Sequence, residues 1–183
     1  LTSVGTWAQD GEAPPAEGSG DSTTPTEVSV ADAADLKSKL ESETASTINM
    51  TDDITLTEQI NVGADHILSI AAGQTLTCTG EGKIGLAKIN LTIQGGGNLV
   101  INGNTDWRTI PSGTLTLNNI TVNITSGVIS PENLTVGTGA TINVDAANQA
   151  YPLQGSVTVD GGTININEFK VGGININTAL IIN

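Results

Sequence analysis

The chain is poor in aromatic side chains. Two Trp, one Tyr and one Phe make up 2% of its 183 residues, and charged residues reach only 14%, although 37% are apolar. Such a core must be built from aliphatic residues. There is one cysteine, Cys78, which excludes an intrachain disulfide. There is one histidine, His66, too few for a histidine metal cluster. Bases are scarce: six Lys and Arg face 19 acids, for a net charge of −13. A chain without a basic stripe does not meet nucleic-acid phosphates, and an acidic one does not dock electrostatically on anionic lipid. No apolar run approaches the ~18 residues of a membrane span. Leu1 in place of Met is expected of a chain whose leader has been removed or that has been trimmed.

What is abundant is glycine (22 residues), with Thr, Asn and Ile. β-Branched residues with Asn and Gly suit short strands joined by tight turns. The charge is uneven: residues 1–60 hold twelve acids and two bases, whereas residues 61–183 hold seven acids and four bases. Residues 1–26 form a Pro/Gly/Ser/acid-rich tail without a base, read as a flexible acidic leash. Its first residues, LTSVGTW, place Leu1, Val4 and Trp7 in a mildly apolar patch. The second segment, 27–183, opens with a strand, EVSV. A helix over about 32–43 follows, with Asp32 able to cap it and Ala33, Leu36 and Leu40 on one face.

From Thr47 onward the apolar residues alternate with polar ones. The pattern is that of strands, most of them bounded by Gly, Asn or Asp. It also repeats. Leu68, Leu91, Leu115, Leu134 and Val157 recur at steps of 23, 24, 19 and 23; Leu76, Leu99, Ile120, Ile142 and Ile164 at steps of 23, 21, 22 and 22. A period near 22 with two or three short strands and no helix between them predicts the rungs of a parallel β-solenoid. A meander sandwich would show no constant period.

EVSVADAADLKSKL (27–40) and TINMTDDITLTEQINVGADHILSIAAGQTLT (47–77) carry a family likeness. They resemble the opening of right-handed parallel β-helix proteins of the pectate-lyase-like superfamily, in particular bacterial surface and adhesin-type members. The resemblance runs over 27–183. It implies an all-β fold, a right-handed parallel β-helix with a short N-terminal capping helix, and an extracellular or cell-surface location. Polygalacturonase-like relatives carry an Asn-Thr-Asp element followed by three others. Here Asn104-Thr105-Asp106 occurs, but Asp52-Asp53 and His66 precede it, so the tripeptide reads as a polar turn. Lyase-type chemistry needs a carboxylate cluster for Ca²⁺ and a nearby base; no dense acidic group follows Glu58. No catalytic residue, metal or cofactor is expected.

Three loops remain as a candidate site. NTDWRTIPSG (104–113), SGVISPEN (126–133) and DAANQAYPLQGS (145–156) follow successive rungs and should stack on one side. They would gather Asp106, Trp107, Arg108, Glu132, Asp145 and Tyr151, and aromatic faces beside carboxylates suit a glycan. The alternative is that the two rings cover the apolar sheet beneath them. His66 is expected on a turn between strands and Cys78 in the core beside Leu76. The Thr-x-Thr pairs, at Thr55, Thr75 and Thr114, skip rungs. Sequons fall at Asn49, Asn90, Asn119, Asn123 and Asn133.

The last stretch, GGTININEFKVGGININTALIIN, ends on an apolar segment with no polar cap. Its duplicated Gly-Gly-Ile-Asn-Ile-Asn reads as a compressed final turn. The end is expected to be cut from a longer solenoid, folded back as a hairpin, or covered by a second subunit. In the last case Ile174, Ile176, Leu180, Ile181 and Ile182 form the docking edge, and Leu1, Val4 and Trp7 of a neighbour add to it as a donor strand over 1–9. The leading expectation is a non-catalytic extracellular structural or adhesive protein assembling head to tail into a filament. The alternative is a polysaccharide-binding module, or a degenerate lyase or hydrolase relative, using the 104–156 loop side.

Overall fold

The computed structural model describes residues 25–103, 113–147, 151–169 and 174–182. Strand β1 (Thr26–Val30) leads into helix α1 (Ala33–Leu40). Asp32 caps that helix, its carboxylate accepting from the Asp35 amide at 2.9 Å. Leu36 and Leu40 are buried on its inner face. The helix ends at Leu40, three residues short of the expected 43, and Gly63 donates its amide to the Leu40 carbonyl at 2.8 Å.

Every strand that follows pairs in parallel. Sheet A runs β1, β2 (Ser46–Met50), β5 (His66–Ile70), β8 (Asn90–Gln94), β10 (Thr114–Leu117), β12 (Asn133–Val136), β14 (Leu153–Val159) and β16 (Ile174–Ile182). Sheet B runs β3 (Ile54–Leu56), β6 (Thr75–Gly80), β9 (Asn98–Gly103), β11 (Thr121–Ser126), β13 (Thr141–Ala146) and β15 (Thr163–Phe169). Two three-residue strands, β4 (Gln59–Asn61) and β7 (Lys83–Gly85), pair as a small third sheet that the periodicity did not reveal. The chain climbs one strand of each large sheet per turn, giving a β-solenoid of about six turns.

The alternation of each strand turns one set of side chains inward, and the register stacks them rung upon rung. In sheet B, Ile54, Leu76, Leu99, Val122, Ile142 and Ile164 form one column. Leu56, Cys78, Ile101, Ile124, Val144 and Ile166 form the next. In sheet A, Ile48, Leu68, Ile93, Leu117, Val136 and Val159 align. Beside them run Leu91, Leu115, Leu134 and Val157. Burying an aliphatic side chain of this size contributes about 1.5–3 kcal/mol, so these columns, not the single helix, hold the fold. Turns are tight where rungs touch. Gly95, at φ 115°, lies against the Ile70 backbone, where a Cβ would collide with the Ile70 carbonyl.

The register corrects the expected alignment in two places. Leu68 pairs with Ile93, not Leu91, whose partner is His66. Val122, not Ile120, stands in the column between Leu99 and Ile142. Both errors are slips of two residues. Such a slip keeps every side chain on its own face, so alternation alone cannot detect it.

The reading of the final stretch is also corrected. The two Ile-Asn-Ile-Asn copies are not a compressed turn or a hairpin. The first lies in β15 on sheet B; the second lies in β16 on sheet A, parallel to β14. Val157 pairs with Leu180, an ordinary rung of 23 residues. A β-bulge between Gly155 and Val157 takes up the irregularity.

Candidate functional site

His66 is not on a turn. It is the first residue of β5, 1% exposed, and sits at the head of the Leu91–Leu115–Leu134–Val157 column. Its Nδ1 accepts the backbone N–H of Ser46 at 3.2 Å, with the Ser46 hydroxyl at 3.1 Å. The ring's other nitrogen, Nε2, is 3.1 Å from the Ser42 carbonyl and must therefore carry the hydrogen. The imidazole is a neutral, satisfied core group that closes the top of an aliphatic column. Cys78 is buried as expected beside Leu76. Burial pushes its thiol up from 9.0 to about 12, which leaves it without the thiolate that nucleophilic chemistry requires.

The loop side is only partly described. Asp106, Trp107 and Arg108 lie outside the described residues, as do Leu1, Val4 and Trp7. Of the remaining candidates, Glu132 precedes β12, Asp145 lies near the end of β13, and Tyr151 precedes β14. All three are exposed, and Tyr151 is the one exposed large hydrophobic residue among those described. Successive loops do stack at this corner. Ile129 bridges Leu153 in parallel, its amide donating to the Pro152 carbonyl and its own carbonyl accepting from Gln154, each at 2.9 Å. The Gln154 side chain returns to the Tyr151 carbonyl at 3.2 Å. Ile174, Ile176, Leu180, Ile181 and Ile182 belong to β16, the outermost described strand of sheet A.

A groove of about 260 Å³ opens beneath the helix, lined by Ala33, Ala34, Lys37, Leu56, Thr57, Glu58 and Ile60. Its one ion pair, Lys37 Nζ to Glu58 Oε2 at 3.2 Å, is largely exposed and weak. Among the described residues no three His, Cys, Asp or Glu side chains converge as a metal site.

The outer faces of the sheets are more regular than the sequence suggested. The Thr-x-Thr pairs at Thr55 and Thr75 do not skip a rung, since Thr55 pairs with Thr77 on adjacent strands β3 and β6, whereas the pair at Thr114 lies on sheet A. Thr92, Thr116, Thr135 and Thr158 stand in register on four consecutive strands of sheet A. On sheet B, Asn165 donates its side-chain amide to Asn143, and Asn143 donates to Asn123, each at 2.9 Å. This amide ladder depends on the register between β11, β13 and β15, and so is visible only once Val122 is aligned correctly. Carboxylates also bridge rungs. Asp65 accepts both the backbone and side-chain N–H of Asn90 at 2.8 Å, and Asp53 accepts the Thr75 amide at 2.7 Å.

A capped parallel solenoid with an aliphatic core and uncharged, laddered faces defines a β-helix scaffold. A family model described as "Putative pectate lyase-like adhesive domain" matches residues 27–171. The chain therefore belongs to this pectate-lyase-like, adhesin-type family of β-helix proteins, and the match begins within β1, just ahead of the capping helix. No curated protein and no solved structure matches the chain.

Proposed function

We propose that this chain is a non-catalytic structural or adhesive solenoid that acts outside the cell and assembles with further copies of itself. The adhesive character of its family supports the coarse role. The carrying observation is the unbroken pair of parallel sheets over aliphatic columns. This build gives a stiff spacer, and among the described residues most charged groups lie on turns and at the cap. Self-assembly finds support in β16. It is the outermost described strand of sheet A and runs parallel to β14 in an ordinary rung register, a geometry that a further parallel strand can extend. In this reading Leu1, Val4 and Trp7 of one copy add along the Ile174–Ile182 strand of the next, and such head-to-tail contacts grow into filaments. Negative-stain microscopy of the intact chain and of a variant lacking residues 1–9 tests it. Filaments lost on deletion are expected. Identical assembly with and without the segment, or a strictly monomeric parent, overturns the assembly reading.

A second reading, polysaccharide binding at the loop side, is favoured by the stacked Ile129–Leu153 corner and the exposed Tyr151. Tyr151→Ala and Trp107→Ala should abolish glycan retention while leaving assembly intact.

A further inference from the structure

The charge of this molecule stays out of the outer ranks of sheet B, as it stays out of the rank of Thr92, Thr116, Thr135 and Thr158 on sheet A; what sheet B adds is the amide ladder. The outward residues of sheet B form two ranks across the rungs. One contains Thr75, Asn98, Thr121, Thr141 and Thr163; the other contains Thr77, Val100, Asn123, Asn143 and Asn165. Neither rank holds an acid or a base, in a chain with 25 charged residues and a net charge of −13. Acids enter at the margins, where Asp145 pairs in register with Glu168 and the Asp53 carboxylate accepts the Thr75 amide. The ranks are half-buried at most strands and exposed at β15, so they are open to solvent.

Three properties narrow what such a face can hold. First, its ranks carry no charge, so an ionic polymer gains nothing there, and the marginal carboxylates of Asp53 and Asp145 repel a polyuronate. Second, its area is small. Six strands at ~4.8 Å by about four residues at ~3.4 Å give a few hundred Å², below the ~800 Å² per partner of a stable protein interface. A face-to-face dimer is thereby disfavoured. Third, its amides are already ordered. The Asn165–Asn143–Asn123 bonds fix each carboxamide and leave Asn143 a second N–H and a second oxygen lone pair. Ordered donors and acceptors on three consecutive strands, β11, β13 and β15, beside a rank of threonine methyl groups, bind without a further loss of side-chain entropy. Tyr151, the exposed ring among the described residues, comes after β13 and before β14 in the chain.

We infer that the outer face of sheet B is a docking surface for an uncharged polysaccharide. The polymer lies along the threonine and asparagine ranks, its hydroxyls meeting the ordered amides and its ring faces the methyl groups. The inference rests on the adhesive reading above and names the ligand class and the face.

The test is co-sedimentation of the full chain with insoluble cellulose and chitin, beside soluble-polymer gel retardation with a neutral β-glucan and polygalacturonate. Thr121→Lys combined with Thr141→Lys should weaken retention on the neutral polymers about tenfold, the loss of roughly 1.4 kcal/mol. The amide ladder and thermal unfolding should be preserved. Thr116→Lys, on the outer face of sheet A, should leave retention unchanged. Stronger binding to polygalacturonate, an equal loss with Thr116→Lys, or no binding to any neutral polymer overturns the inference. If no neutral polymer binds while filaments still form, the ligand assignment alone fails. If binding persists and filaments do not form, the assembly reading alone fails.

Discussion

Replacing His66 tests whether the head of the aliphatic column depends on hydrogen bonding or on packing alone. The ring is 1% exposed, and Ser46, beneath which it sits, is 8% exposed. Truncation to alanine removes the acceptor of the Ser46 amide at 3.2 Å and the donor to the Ser42 carbonyl at 3.1 Å. A buried N–H without a partner costs about 1–3 kcal/mol, and the lost ring volume adds a cavity term of about 1–2 kcal/mol. His66→Ala should therefore lose about 2–5 kcal/mol. His66→Leu continues the leucine column and refills the space, yet leaves the Ser46 amide unpaired, so about 1–3 kcal/mol should still be lost. His66→Asn offers an oxygen near the position of Nδ1 and should be the mildest of the three. Urea unfolding is the assay, read as a shift of midpoint at constant slope. A leucine variant as stable as the parent would refute the hydrogen-bond reasoning, because packing alone would then account for the site.

Other expectations follow from single features. Cys78 should resist thiol reagents in the native state and react once unfolded. Its folded value of about 12 lies above the unfolded 9.0. Between these values the folded form holds the proton that the unfolded form releases, so stability from this group is full below pH 9 and falls as pH rises. The slope is about 1.4 kcal/mol per pH unit, and it should be missing from the alkaline unfolding curve of Cys78→Ala. Asn143→Asp sets an acceptor against the Asn123 oxygen and should cost about 1–2 kcal/mol, more than Asn143→Ser by thermal melting. Gly95→Ala, at φ 115° against the Ile70 backbone, should cost more than about 1–3 kcal/mol and reduce soluble yield, measured beside Gly73→Ala, which meets no neighbouring atom.

The solenoid was legible in the sequence because its cause is local and repeated. Alternation sets the inward face, Gly and Asn mark the turns, and the period of about 22 residues is the circumference of the rung. Asp32, Leu36 and Leu40 likewise carry the cap in their own spacing. What was not legible depends on contacts between rungs. The partner of Leu68 is fixed by the length of the intervening turns, and slips of two residues keep the pattern intact. His66 looks like a turn residue until Ser46 is known to lie one rung away. The amide ladder needs three strands in register before it exists. The three-residue strands β4 and β7 are too short to show a period. Of the candidate site, Glu132 and Tyr151 could be placed on adjoining loops because the loops follow equivalent strands. The ranks of sheet B escaped because threonine and asparagine in a strand look like ordinary outward positions.

The in-register stacking of β3 through β15 has a consequence for length. Each turn adds one strand to each sheet and repeats the same outward residue types. Gaining or losing a segment of about 22 residues therefore changes the height of the rod by ~4.8 Å without altering its cross-section. The molecule is in this sense a ruler with a fixed graduation. Selection can set how far its tip stands from its base by copying rungs, with no need to redesign the surface that each rung displays.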